Sequence, residues 1–165
     1  MNLDCPQLKT TVQALKLLDF ELSYLALLTR EGLKPLSRWE KPLDSSGLEL
    51  LRQIGLLTEQ IRRTVKIGKQ VTETIFSVSA GYIQLYQQRF DNTPIEKSPA
   101  VTRFEGFLFG YPPCCISQYI RRPYTPNDLP PQDQGILFHW ACKQCKITPT
   151  LLPPYRQIHD YLLQS

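Results

Sequence analysis

At 165 residues the chain is long enough to bury a core without disulfide staples, which excludes a staple-dependent miniprotein. Hydrophobic residues at 42% and charged residues at 21% exclude a wholly disordered or fibrous chain, and a net charge of +4 is too mild for a committed nucleic-acid binder. No apolar run approaches the ~18 residues of a membrane-spanning helix, and the N-terminus, with Asp4, Lys9 and Lys16, has no secretory pattern, so the expectation is a cytoplasmic protein without a membrane partner.

Leu8, Val12, Leu15, Leu18, Leu22, Leu25 and Leu28 recur at three- and four-residue steps and predict one long amphipathic helix from Pro6 to Glu31, capped by Asp4 and ended by Gly32. Leu33 to Ser45, with Pro35 and Pro42 around Trp39, reads as a loop. Ser46 and Glu49 form a capping-box pattern for a short helix through Ile54, stopped at Gly55. From Thr64 to Phe90 the period becomes two. Val65 and Ile67, then Thr72 to Val78, then Ile83 and Leu85 alternate about turn signals at Gly68-Lys69 and Ala80-Gly81, predicting three antiparallel strands.

A polar loop, Asp91 to Pro99, leads to helical spacing in Val101, Phe104, Phe107 and Leu108 that Gly110 ends. Ile116 to Arg122 reads as a short helix. Pro123, Pro126, Pro130 and Pro131 impose an irregular loop, and Pro154 to Leu163 reads as a closing helix. The expected fold is α+β: N-terminal helices, a small antiparallel three-stranded meander, then C-terminal helices and cysteine-bearing loops. One domain over residues 1–165 is expected, with residues 1–58 helical, strands across 60–90 and a cysteine-containing helical region across 98–165.

The distinctive feature is cysteine placement. Cys5 stands alone, while Cys114, Cys115, Cys142 and Cys145 lie in the last third. An odd total of five in a reducing compartment points away from a disulfide framework and towards metal binding or thiol chemistry. Cys142-Lys143-Gln144-Cys145 has the spacing of a zinc half-site. The second half-site is unusual, because adjacent side chains diverge by about 100° on a helix or point to opposite faces of a strand. One of Cys114 and Cys115 would then join Cys142, Cys145 and His139 in a Cys3His zinc site. An iron–sulfur cluster, whose broader body accepts ligands from divergent directions, is the alternative cofactor.

The run Glu105-Gly106, Gly110-Tyr111-Pro112, Cys114-Cys115, then His139, Cys142 and Cys145 resembles an uncharacterised prokaryotic domain family. That family is marked by Gly-Tyr-Pro-x-Cys-Cys, a later His-x-x-Cys and a further Cys. The resemblance covers roughly the C-terminal hundred residues and implies one shared site without naming a reaction. The later cysteine pair departs from the family pattern, enclosing two residues where three are associated with it. Adjacent cysteines before a Cys-x-x-Cys are also similar to the cysteine-rich domains of heterodisulfide reductases, which carry an iron–sulfur cluster, although here no glycine follows Cys115.

Two further functions belong to other classes. The same four cysteines, flanked by Lys143, Lys146, Arg121 and Arg122, suit a metal-free thiol redox protein or sensor. Arg62, Arg63, Lys66 and Lys69, beside a helix carrying Arg52 and Gln53, loosely resemble a winged-helix nucleic-acid module; a solvated, charge-protected strand edge explains them equally well. Glu105 is a candidate general base or an acceptor orienting His139, set against a solvated helix position. His159 reads as a packing residue on the closing helix.

Overall fold

The structure, a computed structural model, describes residues 5–164, so the expected Asp4 cap lies outside the described residues. The long N-terminal helix is two: α1 (Pro6–Leu18) and α2 (Phe20–Arg30). Asp19 separates them by taking extended backbone and accepting the amides of Glu21 and Leu22 on its carboxylate, which makes it the N-cap of α2. The leucine stripe survives the break except at Leu18, which lies at the break and is 51% exposed. Leu8, Val12, Leu15, Leu22, Leu25 and Leu28 are all buried, because two consecutive helices can fold back onto one core with the same apolar positions. Gly32 follows α2 in the left-handed region at φ +74°, as a helix-ending glycine does.

After Pro35 the chain forms strand β1 (Ser37–Trp39), then α3 (Ser45–Gln53), whose cap is Asp44, accepting the Gly47 amide. Strands β2 (Leu57–Thr64) and β3 (Gln70–Ser77) make an antiparallel hairpin. Its turn centres on Gly68, at φ +80°, with the Val65 amide donating to the Lys69 carbonyl. The expected third strand of a meander is instead helix α4 (Ala80–Phe90). Ile83, Tyr86 and Phe90, at steps of three and four, are the residues it buries, so a helical period underlies the apparent alternation.

The sheet is therefore four-stranded and mixed, in the order β1-β3-β2-β4. β1 pairs antiparallel with β3, and the two-residue β4 (Thr93–Pro94) pairs parallel with β2. Proline-flanked β1 lies at an edge, where missing amide donors are tolerated. The two faces of β3 meet different cores. Phe76 joins α1, α2, α3 and the C-terminal helix, whereas Ile75 joins Ile61, Tyr86, Phe90 and Leu108.

Four helices complete the chain: α5 (Pro99–Leu108), α6 (Pro113–Arg121), the short α7 (Pro131–Gly135) and α8 (Thr148–Gln164). Gly110, at φ +73°, turns the chain between α5 and α6, and α8 starts earlier than its sequence pattern suggests, with Pro153 and Pro154 inside it. Among the described residues no helix is long and apolar enough to cross a membrane.

Candidate metal centre

The sequence Gly110-Tyr111-Pro112-Pro113 delivers Cys114 and Cys115 onto the first turn of α6. Proline suits that first helical position, since its missing amide has no intrahelical partner to lose. Opposite them, Cys142 and Cys145 lie on a tight turn closed by the Cys145 amide donating to the Cys142 carbonyl, with Gln144 in the left-handed region at φ +57°. The four sulfurs all lie within 4.8 Å of one another and can hold a metal ion. Cys145 Sγ is 3.5 Å from the sulfurs of both Cys114 and Cys115.

The two adjacent cysteines thus converge, where the sequence suggests that only one would reach. Divergence of side chains at a helix start is offset by a partner loop that passes across the turn rather than along one face, so Cys145 meets both. Cys115 is buried and Cys114 exposed, which puts one sulfur on the protein side of the cluster and one towards solvent. Cys5 is exposed and belongs to the start of α1, far from the cluster in sequence and outside the four-sulfur group.

Electrostatics favour thiolate at this point. The N-termini of α6 and α8 both bring their positive ends to the sulfurs. Backbone amides donate directly: Cys142 N to Cys115 Sγ at 3.3 Å and Thr148 N to Cys145 Sγ at 3.3 Å. Burial opposes the Cys145 thiolate, but the Thr148 hydroxyl and amide outweigh it and bring that thiol down to about 6. The neighbours move the other way: burial pushes the Cys115 thiol up to about 11, and burial plus the adjacent sulfurs also push Cys142 up. Cys145 thus releases its proton readily while Cys115 and Cys142 resist releasing theirs, and a cation among the sulfurs is what makes further ionisation favourable.

His139 is buried but stands outside the sulfur group. Its Nε2 is 3.0 Å from the hydroxyl of Thr148, which in turn lies 3.2 Å from Cys145 Sγ. Thr148 has a single hydroxyl proton. With that proton directed at the sulfur, its oxygen offers only lone pairs, so His139 Nε2 carries the ring proton and Nδ1 is a bare acceptor. Nδ1 has no hydrogen-bond partner among the described residues. Burial, aided by the nearby Lys34 ammonium, holds the His139 imidazole down to about 4. The resulting relay runs from the histidine ring through threonine to sulfur.

Thr148 itself has no place in the sequence reading. Its signal is a hydroxyl three residues after the second cysteine of a Cys-x-x-Cys pair, a position that loop and helix-start threonines occupy for many reasons. Glu105 does not orient His139; it accepts from Arg38 at 2.5 Å and from the Tyr86 hydroxyl at 3.3 Å. Arg63 is withdrawn from the basic hairpin, 2% exposed and paired with Glu73, which leaves Arg62, Lys66 and Lys69 on its surface. His159 packs edge-on against Phe20 and Tyr24.

No family model matches the chain, and neither does a curated protein or a solved structure.

Proposed function

We propose that this is a metal-binding protein whose Cys114, Cys115, Cys142 and Cys145 hold one zinc ion. The observation that carries the reading is the sulfur spacing. A tetrahedral zinc ion with zinc–sulfur bonds of ~2.3 Å separates its ligand sulfurs by about 3.8 Å, and Cys145 Sγ lies 3.5 Å from each sulfur of the adjacent pair. An iron–sulfur cluster interposes several irons and sulfides between its cysteines and needs them further apart. The resemblance to the Gly-Tyr-Pro-x-Cys-Cys family agrees with a single shared site.

The role we infer is structural. The ion would offset two of the four thiolate charges and tie the start of α6 to the turn before α8, fixing the proline-rich segment between them. With four protein ligands no position is left for substrate. His139 then serves by orienting Thr148 rather than by coordination. Free thiols at all five cysteines fit a reducing compartment such as the cytoplasm.

Elemental analysis and an absorption spectrum of protein purified without oxygen test the reading. One colourless zinc per chain is expected. A brown protein with iron and acid-labile sulfide overturns zinc in favour of a cluster, and absence of both overturns metal binding. The metal-free outcome would favour thiol redox chemistry, for which the specific observation is exposed Cys114 sitting 3.5 Å from the acidified Cys145.

A further inference from the structure

A cavity of about 960 Å³ extends from the Arg38–Glu105 ion pair to Cys115, between α5, α6 and the segment leading to the Cys142 turn. Small-molecule sites span about 300–1,000 Å³. Phe109, Tyr111, Tyr119, Tyr124, Phe138 and Trp140 give the walls six aromatic rings. Phe138 also packs against the leucine-lined core, and Phe109 and Tyr111 belong to the second core, whereas Tyr119, Tyr124 and Trp140 belong to neither and give the cavity stacking surface of its own.

The polar groups on the lining are unevenly committed. Arg38 is engaged with Glu105, Glu40 and the Tyr86 hydroxyl. The amides of Asn127 and Gln134 are occupied with one another and with the backbone at His139 and Ala141. Glu105 differs: its Oε1 accepts from Arg38 and Tyr86, while among the described residues no bond engages Oε2, and the side chain remains 20% exposed. His139 lines the same cavity, but its Nδ1 is sealed from solvent and gives a ligand no acceptor. The cavity therefore offers π faces, the free carboxylate oxygen of Glu105 as its acceptor, and the Tyr111 and Tyr124 hydroxyls, whose protons meet no acceptor among the described residues.

That inventory selects a ligand. An anion would meet the Glu105 carboxylate, and the Arg38 guanidinium beside it is already paired. An aliphatic molecule would leave the carboxylate oxygen without a donor. An organic cation would be drawn to the rings but would lie against the Arg38 guanidinium that holds Glu105 in place. A flat, neutral ring system with N–H groups satisfies rings and carboxylate together.

The mouth supplies a separate observation. Tyr124 is 65% exposed, yet sits in the left-handed region at φ +54°, an uncommon conformation for a bulky residue. Its ring stands edge-on to Trp140 at 5.5 Å and to Tyr119 at 5.4 Å. Burial does not compensate that strain, whereas placing a ring over a bound ligand gives it a use.

We propose that this cavity binds a planar, neutral nitrogen heterocycle of the purine or pterin class, stacked on the aromatic walls with its N–H edge on Glu105. The inference goes beyond the metal reading and does not depend on which ion the cysteines hold.

The test is calorimetric and fluorescence titration of the protein as purified with guanosine, whose N1–H and exocyclic amine form such an edge. Benzyltrimethylammonium serves as the cationic probe and benzyl alcohol as the plain aromatic one. Saturable one-to-one guanosine binding, at least tenfold tighter than either comparison probe, is expected. Glu105→Gln should weaken it tenfold or more. Tyr124→Ala, at an exposed site, should weaken it severalfold with melting temperature unchanged, so the test stands even where Glu105→Gln disturbs the Arg38 network. No saturable guanosine binding up to millimolar concentration, tighter binding of benzyltrimethylammonium, or indifference to both substitutions overturns the proposal. Metal content measured on the same samples reports separately on the cysteine centre.

Discussion

Thr148 donates twice to Cys145: its amide lies 3.3 Å and its hydroxyl 3.2 Å from Sγ. One residue thus fixes the sulfur's position and its charge, while the same hydroxyl oxygen receives the buried Nε2 of His139 at 3.0 Å. The threonine is the first residue of α8, so the helix that closes the N-terminal leucine core through Ile158 and Leu162 also begins at the sulfur cluster. Folding of the core and ordering of the cysteine turn are mechanically linked at this residue.

Thr148→Val keeps the shape and the amide but deletes the hydroxyl. Loss of a hydrogen bond to a ligand sulfur typically weakens metal affinity ~10–100-fold. His139 Nε2 would also lose its partner, costing about 1–3 kcal/mol of stability. Thr148→Ser should restore both. Competition with a chromophoric zinc chelator reads the affinity, and unchanged affinity in the valine variant would show that the relay has no hold on the metal.

His139 and Cys114 separate two coordination schemes. If the ion is held by four cysteines, His139→Ala should retain one metal per chain while losing about 1–3 kcal/mol of stability from the emptied buried site. Cys114→Ser should lower metal content or affinity despite that residue's exposure. The reverse pattern, metal lost with the histidine and kept without Cys114, would restore a Cys3His site.

Much of the fold was legible because leucine spacing, glycine stops and the Gly68 turn are local signals. Where the reading departed from the structure, tertiary context decided. Asp19 breaks the helical run although Leu18 and Leu22 keep the period across it. In α4, Ile83 and Leu85 alternate as in a strand while Ile83, Tyr86 and Phe90 keep a helical period, and the choice depends on Tyr86 and Phe90 reaching the core. Ser37–Trp39 becomes a strand only because β3 is there to pair with it. At the site, the four cysteines were visible as residue types. The convergence of Cys114 with Cys115, and the insertion of Thr148 between His139 and sulfur, depend on how a distant loop crosses the start of α6, and no spacing rule encodes that.

Gly110 tests how tightly the first half-site is aimed. A Cβ added there would lie 2.9 Å from Pro35 Cδ and 3.0 Å from the Leu33 carbonyl oxygen, in a backbone conformation at φ +73°. Both neighbours are rigid. Gly110→Ala should therefore cost ~1–2 kcal/mol for the left-handed backbone plus a packing penalty, and should weaken metal retention by shifting Pro112 to Cys115. Gly106→Ala meets only the side chain of Ile116, at 2.6 Å from its Cδ1, so that flexible contact should yield at lower cost. Equal melting temperatures for the two variants would contradict this ranking.

Lys34 offers a test through pH. It is 1% exposed, donates to the Phe109 carbonyl at 3.0 Å, and has the rings of Tyr111 and Phe138 at 4.7 and 5.1 Å. Burial pushes its ammonium down from 10.5 to about 7. Between those values the unfolded chain binds a proton that the folded chain does not, so stability increases as pH rises through the window and is lost as pH falls back towards 7, levelling off below it. Lys34→Met removes this dependence and leaves the other titrating groups in place. The stability difference, wild type minus Lys34→Met, should therefore climb between pH 7 and pH 9.5 by up to about 1.4 kcal/mol per pH unit. The cation–π contacts favour the charged form and hold the slope below that limit. Denaturant unfolding of both proteins across this range measures it, and a flat difference would mean that the rings and the Phe109 carbonyl fully offset the burial of the ammonium.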